Sequence, residues 1–364
     1  MLINRYLVKE VMANLFAVLV VLILIFASKH FIRYMSDAAS GHLPTEFIFK
    51  LLSLFTLNYM VLIIPFSLFL AILISLGRMY KDSEITAMES CGIGIPHLIR
   101  ALAVFVLLVA ALVASLSFWV APWAEKTQYL IRDQAGAESE VAFIAPGRFH
   151  QIRKGQGIFY IESIDPVSKQ MRDVFVHLEI DGKIDIFTAQ RGFLRKADQG
   201  KARYLVLEKG TRYEVLAEGR GYRFHEFEKG EVQVWQQGDK STAARASTQS
   251  MSELLSSSQP SEIAELHWRL AMPISCIVLA LLAVLLSRSD PRQGRFAKLF
   301  IALIFFISYL YLMMIGKTWL KQEVLPSYLG IWWAHALFIS LVFYIWHRQY
   351  GIAYLFSGLK SLQR

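Results

Sequence analysis

Hydrophobic residues collect in six long blocks, three before residue 120 and three after residue 269, with a more polar segment between the two groups. Each block is close to the ~20 apolar residues that a helix needs to cross a bilayer. The first block lacks a small-residue cleavage site, so it is predicted to be a retained span. The pattern predicts six transmembrane helices, at Val11–Phe31, Leu51–Leu76, His97–Trp119, Leu270–Leu286, Leu299–Ile315 and Leu329–Trp346.

The polar middle segment changes to an alternating, period-two pattern that is typical of β-strands. Turn residues separate the alternating runs at the spacing of an antiparallel sheet protein, which favours a β-sandwich, a jelly roll or an open barrel. Residues 238–261 are rich in Ser, Thr, Gln and Ala and are expected to form a flexible return linker. The predicted strands are Gly157–Ile164, Asp173–Ile180, Ile184–Leu194, Tyr204–Leu207, Thr211–Leu216 and Tyr222–Trp235.

These patterns together predict an α-helical membrane protein with six transmembrane helices and an inserted all-β, jellyroll-like domain. The expected domains are residues 1–122 with the first three spans, 123–262 with the β domain and linker, and 263–364 with the last three spans. The formal net charge is +9. Basic residues are denser in the connecting segments that face inside when the N-terminus is placed inside, so both termini are predicted to be cytoplasmic and the β domain external.

Catalytic or nucleotide-binding chemistry is not evident in this chain. Gly316-Lys317-Thr318 resembles the end of a phosphate-binding loop, but position 311 is Tyr where that loop requires Gly. The predicted spans hold no convincing mid-membrane carboxylate relay of the kind that proton-driven carriers use. We therefore expect a protein that is not an enzyme and whose energy comes from a partner.

The segment 77–95, between the second and third spans, is a candidate docking element. Asp82 or Ser83 is expected to cap a helix of about two turns, and Gly92 follows its end. Ile85, Met88 and Cys91 would share one face of this helix. A helix this short needs outside support in water. It is either a plain connector on the membrane surface or a coupling helix that enters a groove of a cytoplasmic ATPase.

Several cations lie at the outer ends of the first and fifth spans, against the trend of positive charge inside. A single lysine or arginine there is explained by snorkelling to lipid headgroups. As a group they suit an anionic ligand such as a phosphorylated lipid. These cations are Lys29, His30 and Arg33 on the first span, and Lys317 and Lys321 on the fifth.

Three motifs carry a family resemblance that covers nearly the whole chain: Arg5-Tyr6-Leu7 before the first span, Ser83–Gly92 (SEITAMESCG) and Asp290–Arg295 (DPRQGR). The chain resembles the lipopolysaccharide export permeases of the LptF/LptG family, and the Ser-Glu-Ile-Thr form favours the LptF-like members. Asp290 departs from the Asn of the family's loop.

The resemblance implies a permease subunit of an ABC transporter in the inner membrane of a Gram-negative bacterium. Such a subunit extracts lipopolysaccharide and passes it to a periplasmic bridge for delivery to the outer membrane. The implied partners are an LptG-like permease, a dimer of an LptB-like ATPase and an LptC-like protein. ATP and magnesium would be used by the ATPase, and this chain would bind no cofactor, metal or nucleic acid.

The resemblance also implies roles for particular residues. Ser83, Glu84, Ile85 and Met88 would belong to the element that meets the ATPase. Lys29, Arg33, Lys317 and Lys321 would be candidates for contacts with lipid phosphates. Phe159, Phe175, Phe187 and Tyr204 would be candidates for an acyl-chain groove in the jellyroll.

Two other functional classes stay open on the residues alone. A secondary lipid carrier would need ionisable groups at mid-membrane. A non-transporting anchor or assembly factor would only display the periplasmic β domain. Co-purification of an ATPase whose activity depends on this chain distinguishes export from the anchor.

Overall fold

The computed structural model describes residues 2–39, 43–142, 146–147, 149–152, 157–165, 170–180, 183–196, 202–215, 222–236, 246–288 and 295–350. The chain divides into two units. The helical unit consists of Met1–Asp133 and Thr242–Arg364, and the β unit consists of Gln134–Ser241.

Long apolar helices make up most of the helical unit. Its first half contains α1 Leu2–Ala39, a 3-10 turn at Thr45–Phe47, α2 Ile48–Lys81, α3 Glu84–Ser90, α4 Ile95–Ser115, a π-helical segment Leu116–Val120 and the part of α5 Ala121–Ala142 that ends at Asp133. Its second half contains α6 Met251–Leu255, α7 Pro260–Leu286, α8 Arg295–Lys321 and α9 Trp332–Tyr350.

Five of these helical stretches among the described residues are long and apolar enough to cross a membrane, which confirms five of the predicted spans at this level. They are Leu2–Ala39, Thr45–Lys81, Ile95–Arg132, Pro260–Leu286 and Phe300–Lys321. The sixth predicted span corresponds to α9, a helix of 19 residues that includes His335, His347 and Arg348. These polar residues make α9 less apolar than the other five helical stretches. That α9 crosses the membrane stays a prediction.

Burial is unequal among the helices. Of the most apolar stretches of α2 and α7, 67 % of the residues are buried, against 11 % for α1 and 28 % for α8. α7 packs against α2, α4, α8 and α9, whereas α1 packs mainly against α2 and α4. The centre of the unit is therefore formed by α2 and α7, while α1 and α8 keep broad apolar faces that the described residues of the chain leave uncovered.

The segment 246–261 is ordered, although its composition suggested a flexible linker. Ser250 begins α6 with a capping box, in which its hydroxyl accepts from the Glu253 amide and the Glu253 carboxylate accepts from the Ser250 amide. Ala246 and Leu254 are buried. The prediction of a flexible linker is therefore wrong for the described part of this segment, because its polar side chains form caps and hydrogen bonds.

The β unit contains a six-stranded antiparallel sheet in which each described strand pairs with the next one in the chain. This sequential order confirms an antiparallel sheet but not a jellyroll, whose two Greek keys pair non-consecutive strands. The strands are β1 Phe149–Ile152, β2 Gly157–Ile164, β3 Met171–Ile180, β4 Lys183–Lys196, β5 Ala202–Val215 and β6 Tyr222–Gln236.

Strand β5 is continuous through Lys209-Gly210, where the sequence pattern predicted a turn between two shorter strands. Lys209 has a φ of 52°, a left-handed conformation that shifts the alternation of side chains while pairing continues. A Cβ at Gly210 would collide with the carbonyl oxygen of Thr188 and lie 2.6 Å from the Phe227 ring. The glycine therefore allows close approach of neighbouring strands and does not end the strand.

Candidate functional site

The short helix α3 is fixed at its end by the backbone. Gly92 has a φ of 83°, its N–H donates to the Glu89 carbonyl at 2.9 Å, and the Ile93 N–H donates to the Met88 carbonyl at 2.9 Å. These two hydrogen bonds form a Schellman motif, which confirms Gly92 as the residue just past the helix. At the other end Ser83 has a left-handed backbone and makes no side-chain capping bond, so the expected cap at Ser83 is wrong. Asp82 instead ends α2.

Apolar side chains hold α3 against the helical unit. Ile85 has no exposed surface and belongs to the main hydrophobic core. Met88 is partly buried and packs on the same core, whereas Cys91 is exposed. Ile85 and Met88 thus share the inward face and anchor the helix, and Cys91 does not belong to that face. The support that a two-turn helix requires is present within the chain itself.

Glu84, in the first turn of α3, lies in a polar cluster with residues of α1 and α2. The Tyr6 phenol donates to Glu84 Oε2 at 2.9 Å, and Arg78 Nη2 donates to the Tyr6 oxygen at 3.1 Å. Arg78 Nη2 also lies 3.4 Å from Glu10 Oε1 and 3.9 Å from Glu84 Oε1. We call Tyr6, Glu10, Arg78 and Glu84 the Glu84 cluster. About a third of the Glu84 side chain is exposed, so a partner can still reach it.

The four expected lipid-binding cations do not form one group. Arg33 lines a cleft of about 300 Å³, and Lys317 lines a second cleft of about 320 Å³. Both clefts are lined by Asn58, Tyr59 and Glu125, so they adjoin one another. Lys29 is exposed and Lys321 is partly buried. Neither is among the described residues that line the two clefts.

Lys317 is held by α7. Its Nζ lies 2.7 Å from Glu265 Oε2 and 4.7 Å from the centroid of the Trp268 ring, a cation–π geometry. Glu265 Oε1 lies 3.2 Å from Arg269 Nε, one helical turn further along α7. We call Glu265, Arg269 and Lys317 the ion triad. Glu265 is 8 % exposed and Arg269 is 2 % exposed, so the triad is largely removed from water.

The ion triad continues into a chain of hydrogen bonds. Arg269 donates to the backbone carbonyls of Ser247 and Gln249, both at 2.9 Å. The Ser247 hydroxyl donates to Glu125 Oε1 at 2.8 Å, and the Asn58 amide donates to Glu125 Oε2 at 3.2 Å. Side chains of α2, α5 and α7 are thereby connected through the segment that follows the β unit.

Sequence reasoning missed Glu265 and Arg269, because the fourth span was started at Leu270 and the helix starts at Pro260. The signal was present in the spacing of four residues between a carboxylate and a guanidinium within an apolar helix. Tyr6 was noted as part of a motif, but nothing in the pattern connected it with Glu84, which lies 78 residues away along the chain.

The four expected groove residues divide between the two faces of the sheet. Phe159 pairs with Val176, which pairs with Phe187, and both phenylalanines pack against the hydrophobic cluster of the β unit. Phe175 lies between the buried residues Val174 and Val176, so it faces the other way. Tyr204, next to buried Leu205, likewise lies on the opposite face from that residue. The sheet therefore does not join all four in one groove.

Across the described parts of the chain, no group of three or more His, Cys, Asp or Glu side chains is arranged to hold a metal ion. Polar contacts among the described residues include the partly exposed Glu84 cluster, the ion triad with its hydrogen-bonded neighbours, and the buried pair of Tyr309 and His335, whose Oη and Nδ1 atoms lie 2.6 Å apart.

Comparison with known proteins gives a match along most of the chain. The family model "Lipopolysaccharide export system permease LptF/LptG" matches residues 5–348. The "Lipopolysaccharide export system permease protein LptF" of Escherichia coli K12 is 28 % identical over 344 residues, which cover 94 % of this chain and 93 % of the relative. The LptF proteins of Escherichia coli O157:H7 and Shigella flexneri match with the same identity and coverage.

Proposed function

The chain belongs to the LptF/LptG family of lipopolysaccharide export permeases, and from this premise we propose that it is the LptF-like subunit of an ABC transporter for lipopolysaccharide. The subunit takes the lipid from the inner membrane and passes it to a periplasmic bridge for delivery to the outer membrane. The observation that carries the proposal is the family match over residues 5–348, which includes the apolar helices and the β unit.

The proposed topology has six spans, both termini in the cytoplasm and the β unit in the periplasm. The distribution of basic residues supports this orientation. In it, α3 and the Glu84 cluster face the cytoplasm, and the ion triad lies near the outer ends of the fourth and fifth spans.

The proposed energy source is a dimer of an LptB-like ATPase, which uses ATP and magnesium, while this chain binds neither. The ATPase meets α3 through Glu84 and the exposed residue Ser83, and Ile85 and Met88 anchor α3 to the core. Support comes from the burial of Ile85, because a rigidly anchored helix can transmit a push to α1 and α2. An LptG-like permease packs beside this chain, and the apolar faces of α1 and α8 that its described residues leave uncovered suit such a neighbour or lipid.

The proposed lipid contacts centre on the two adjoining clefts. Arg33 and Lys317 reach phosphate groups of the lipid there, and Lys29 and Lys321 add positive charge at the entrance. The partly buried Phe159 and Phe187 in the β unit are the better candidates for acyl-chain contact. The β unit then passes the lipid to an LptC-like protein.

The test is ATP-dependent release of lipopolysaccharide from proteoliposomes that contain this chain, its partner permease and the ATPase. Lys317→Gln is expected to lower release several-fold, and Lys126→Gln, at an exposed lysine of α5, serves as the matched control. Glu84→Ala is expected to weaken ATPase association, with the exposed neighbour Asp82→Ala as its control.

Each alternative has its own outcome in this system. Release that follows an ion gradient without any ATPase would indicate a secondary carrier. Failure of this chain to retain an ATPase or to change its activity would indicate an anchor, and the proposed function would be wrong.

A further inference from the structure

The two cations of the ion triad are held very differently. Arg269 is 2 % exposed, and it donates to Glu265 and to the backbone carbonyls of Ser247 and Gln249. A guanidinium with so many fixed acceptors cannot leave without stranding several buried groups. Arg269 is therefore a permanent member of the triad.

Lys317 is the exchangeable member. Its ammonium contacts the Glu265 carboxylate and the Trp268 ring, and a fifth of its side chain is exposed towards a cleft of about 320 Å³. Lysine carries its charge on a flexible four-carbon chain and can redirect it with little change in backbone. The cleft provides room for an anionic group next to the ammonium.

Moving Lys317 away does not leave Glu265 as a lone buried charge. Arg269 Nε remains 3.2 Å from the other carboxylate oxygen, so the main penalty of breaking a buried ion pair is avoided. The triad carries two positive charges and one negative charge, and the free positive charge is available to an anion. The contact between Lys317 and Glu265 can therefore open and close while Glu265 stays compensated.

We propose that Glu265 is a positioning residue that competes with a phosphate of the transported lipid for Lys317. In the empty cleft the lysine pairs with Glu265. When a phosphorylated glycolipid enters, the ammonium moves to the phosphate, and its return to Glu265 helps to release the lipid. The inference deepens the proposed function and rests on it, since it takes the cleft to be the place where the lipid phosphate binds.

This competition has a signature that structural damage does not produce. The substitution Glu265→Gln removes the competing charge. Phosphorylated lipid should then bind more tightly, by threefold or more, and should dissociate from the cleft more slowly. A variant that merely perturbs packing weakens binding. The effect must also require Lys317, because the lysine is the group for which the two anions compete.

The experiment uses the complete transporter in nanodiscs and measures the dissociation constants of three probes. These are lipid A with both phosphates, its enzymatically dephosphorylated counterpart, and inorganic phosphate. Glu262→Gln is the matched control, since Glu262 is 6 % exposed, lies one turn earlier on α7 and accepts from Gln249 rather than from Lys317. The double variant Glu265→Gln with Lys317→Gln completes a mutant cycle.

The expected result is tighter binding of phosphorylated lipid A in Glu265→Gln, no gain in Glu262→Gln, and no gain in the Lys317→Gln background. Unchanged or weaker binding in Glu265→Gln overturns the competition, while weaker binding in Lys317→Gln alone leaves the proposed function standing. If Lys317→Gln binds all probes like the wild type, the lipid contact itself is wrong.

Two further outcomes separate the sources of phosphate and guard against misfolding. An equal gain for dephosphorylated lipid, or a gain for inorganic phosphate alone, overturns the role of the lipid phosphate. Where Glu265→Gln fails to assemble, Glu265→Asp keeps the charge but withdraws it from Lys317 by one methylene. It should tighten binding in the same direction, and the absence of any gain overturns the proposal.

Discussion

Tyr6 connects α1 to α3 through a single hydroxyl, which makes Tyr6→Phe the most selective change in the Glu84 cluster. The variant keeps the ring and removes two hydrogen bonds, the one from the phenol to Glu84 Oε2 and the one that the phenol oxygen accepts from Arg78. The mutant cycle below isolates the part that acts through Glu84. A hydrogen bond to a charged group contributes about 1.5–3 kcal/mol when buried. Because Tyr6 is 40 % exposed, solvent screening reduces this to about 0.5–1 kcal/mol. The orientation of Glu84 is therefore expected to become less favourable by roughly two- to fivefold.

The assay is a titration of the ATPase onto the permease pair in nanodiscs. The apparent dissociation constant for Tyr6→Phe is expected to rise by at most that factor, because the carboxylate proposed to dock the ATPase spends less time in its held position. The ATPase rate at saturation should not change, since the proposed function assigns catalysis to the ATPase and not to this chain. Tyr328→Phe is the control, at a tyrosine that is 79 % exposed.

A mutant cycle decides whether Tyr6 acts through Glu84. In a Glu84→Gln background the effect of Tyr6→Phe should disappear, because the strong acceptor is already gone. Strictly additive effects of the two substitutions, or wild-type affinity in Tyr6→Phe, would refute the reasoning.

Three further predictions concern single positions. Ile85→Ala removes a fully buried side chain and should cost about 2–5 kcal/mol locally, seen as loss of ATPase association while the permease level in the membrane is retained. Gly92→Ala introduces a Cβ at a φ of 83° and should destabilise the end of α3 by about 1–2 kcal/mol, which is measured as faster amide exchange in α3. The control is Gly77→Ala, because Gly77 lies within α2 and has open space around it. Gly210→Ala places a methyl group against Thr188 and Phe227 and should cost about 1–3 kcal/mol, measured as faster limited proteolysis of the β unit in the intact complex.

The long helices and the presence of a sheet could be predicted from sequence because their signals are local. An apolar run of sufficient length predicts a spanning helix without knowledge of its neighbours. Gly92 was identifiable for the same reason, since a helix that ends in a left-handed residue favours glycine there. Lys209-Gly210 has the composition of a turn, yet its conformation is decided by contacts with Thr188 and Phe227 on the neighbouring strands.

The polar chemistry of the helical unit could not be predicted, because it depends on groups that are distant in sequence. Glu265 and Lys317 are 52 residues apart, and Ser247 and Glu125 are 122 residues apart. The composition of residues 246–261 indicated a flexible linker, since Ser and Gln also dominate disordered segments. Only the packing of that segment on Arg269 shows that its carbonyl groups are acceptors for a buried guanidinium.

α1 and α8, the two least buried of the five candidate spans, are each joined to the rest of the helical unit by polar contacts. α1 is joined to α3 and α2 by the Tyr6 hydroxyl and Arg78, and α8 is joined to α7 by Lys317 and Glu265. In a bilayer, apolar helix faces gain little by leaving lipid for one another, so specific polar contacts carry more of the choice between arrangements. Such contacts are either made or broken, whereas apolar packing can slide. The polar contacts of α1 and α8 are therefore where the ATPase and the lipid phosphate of the proposed function would act on the helical unit.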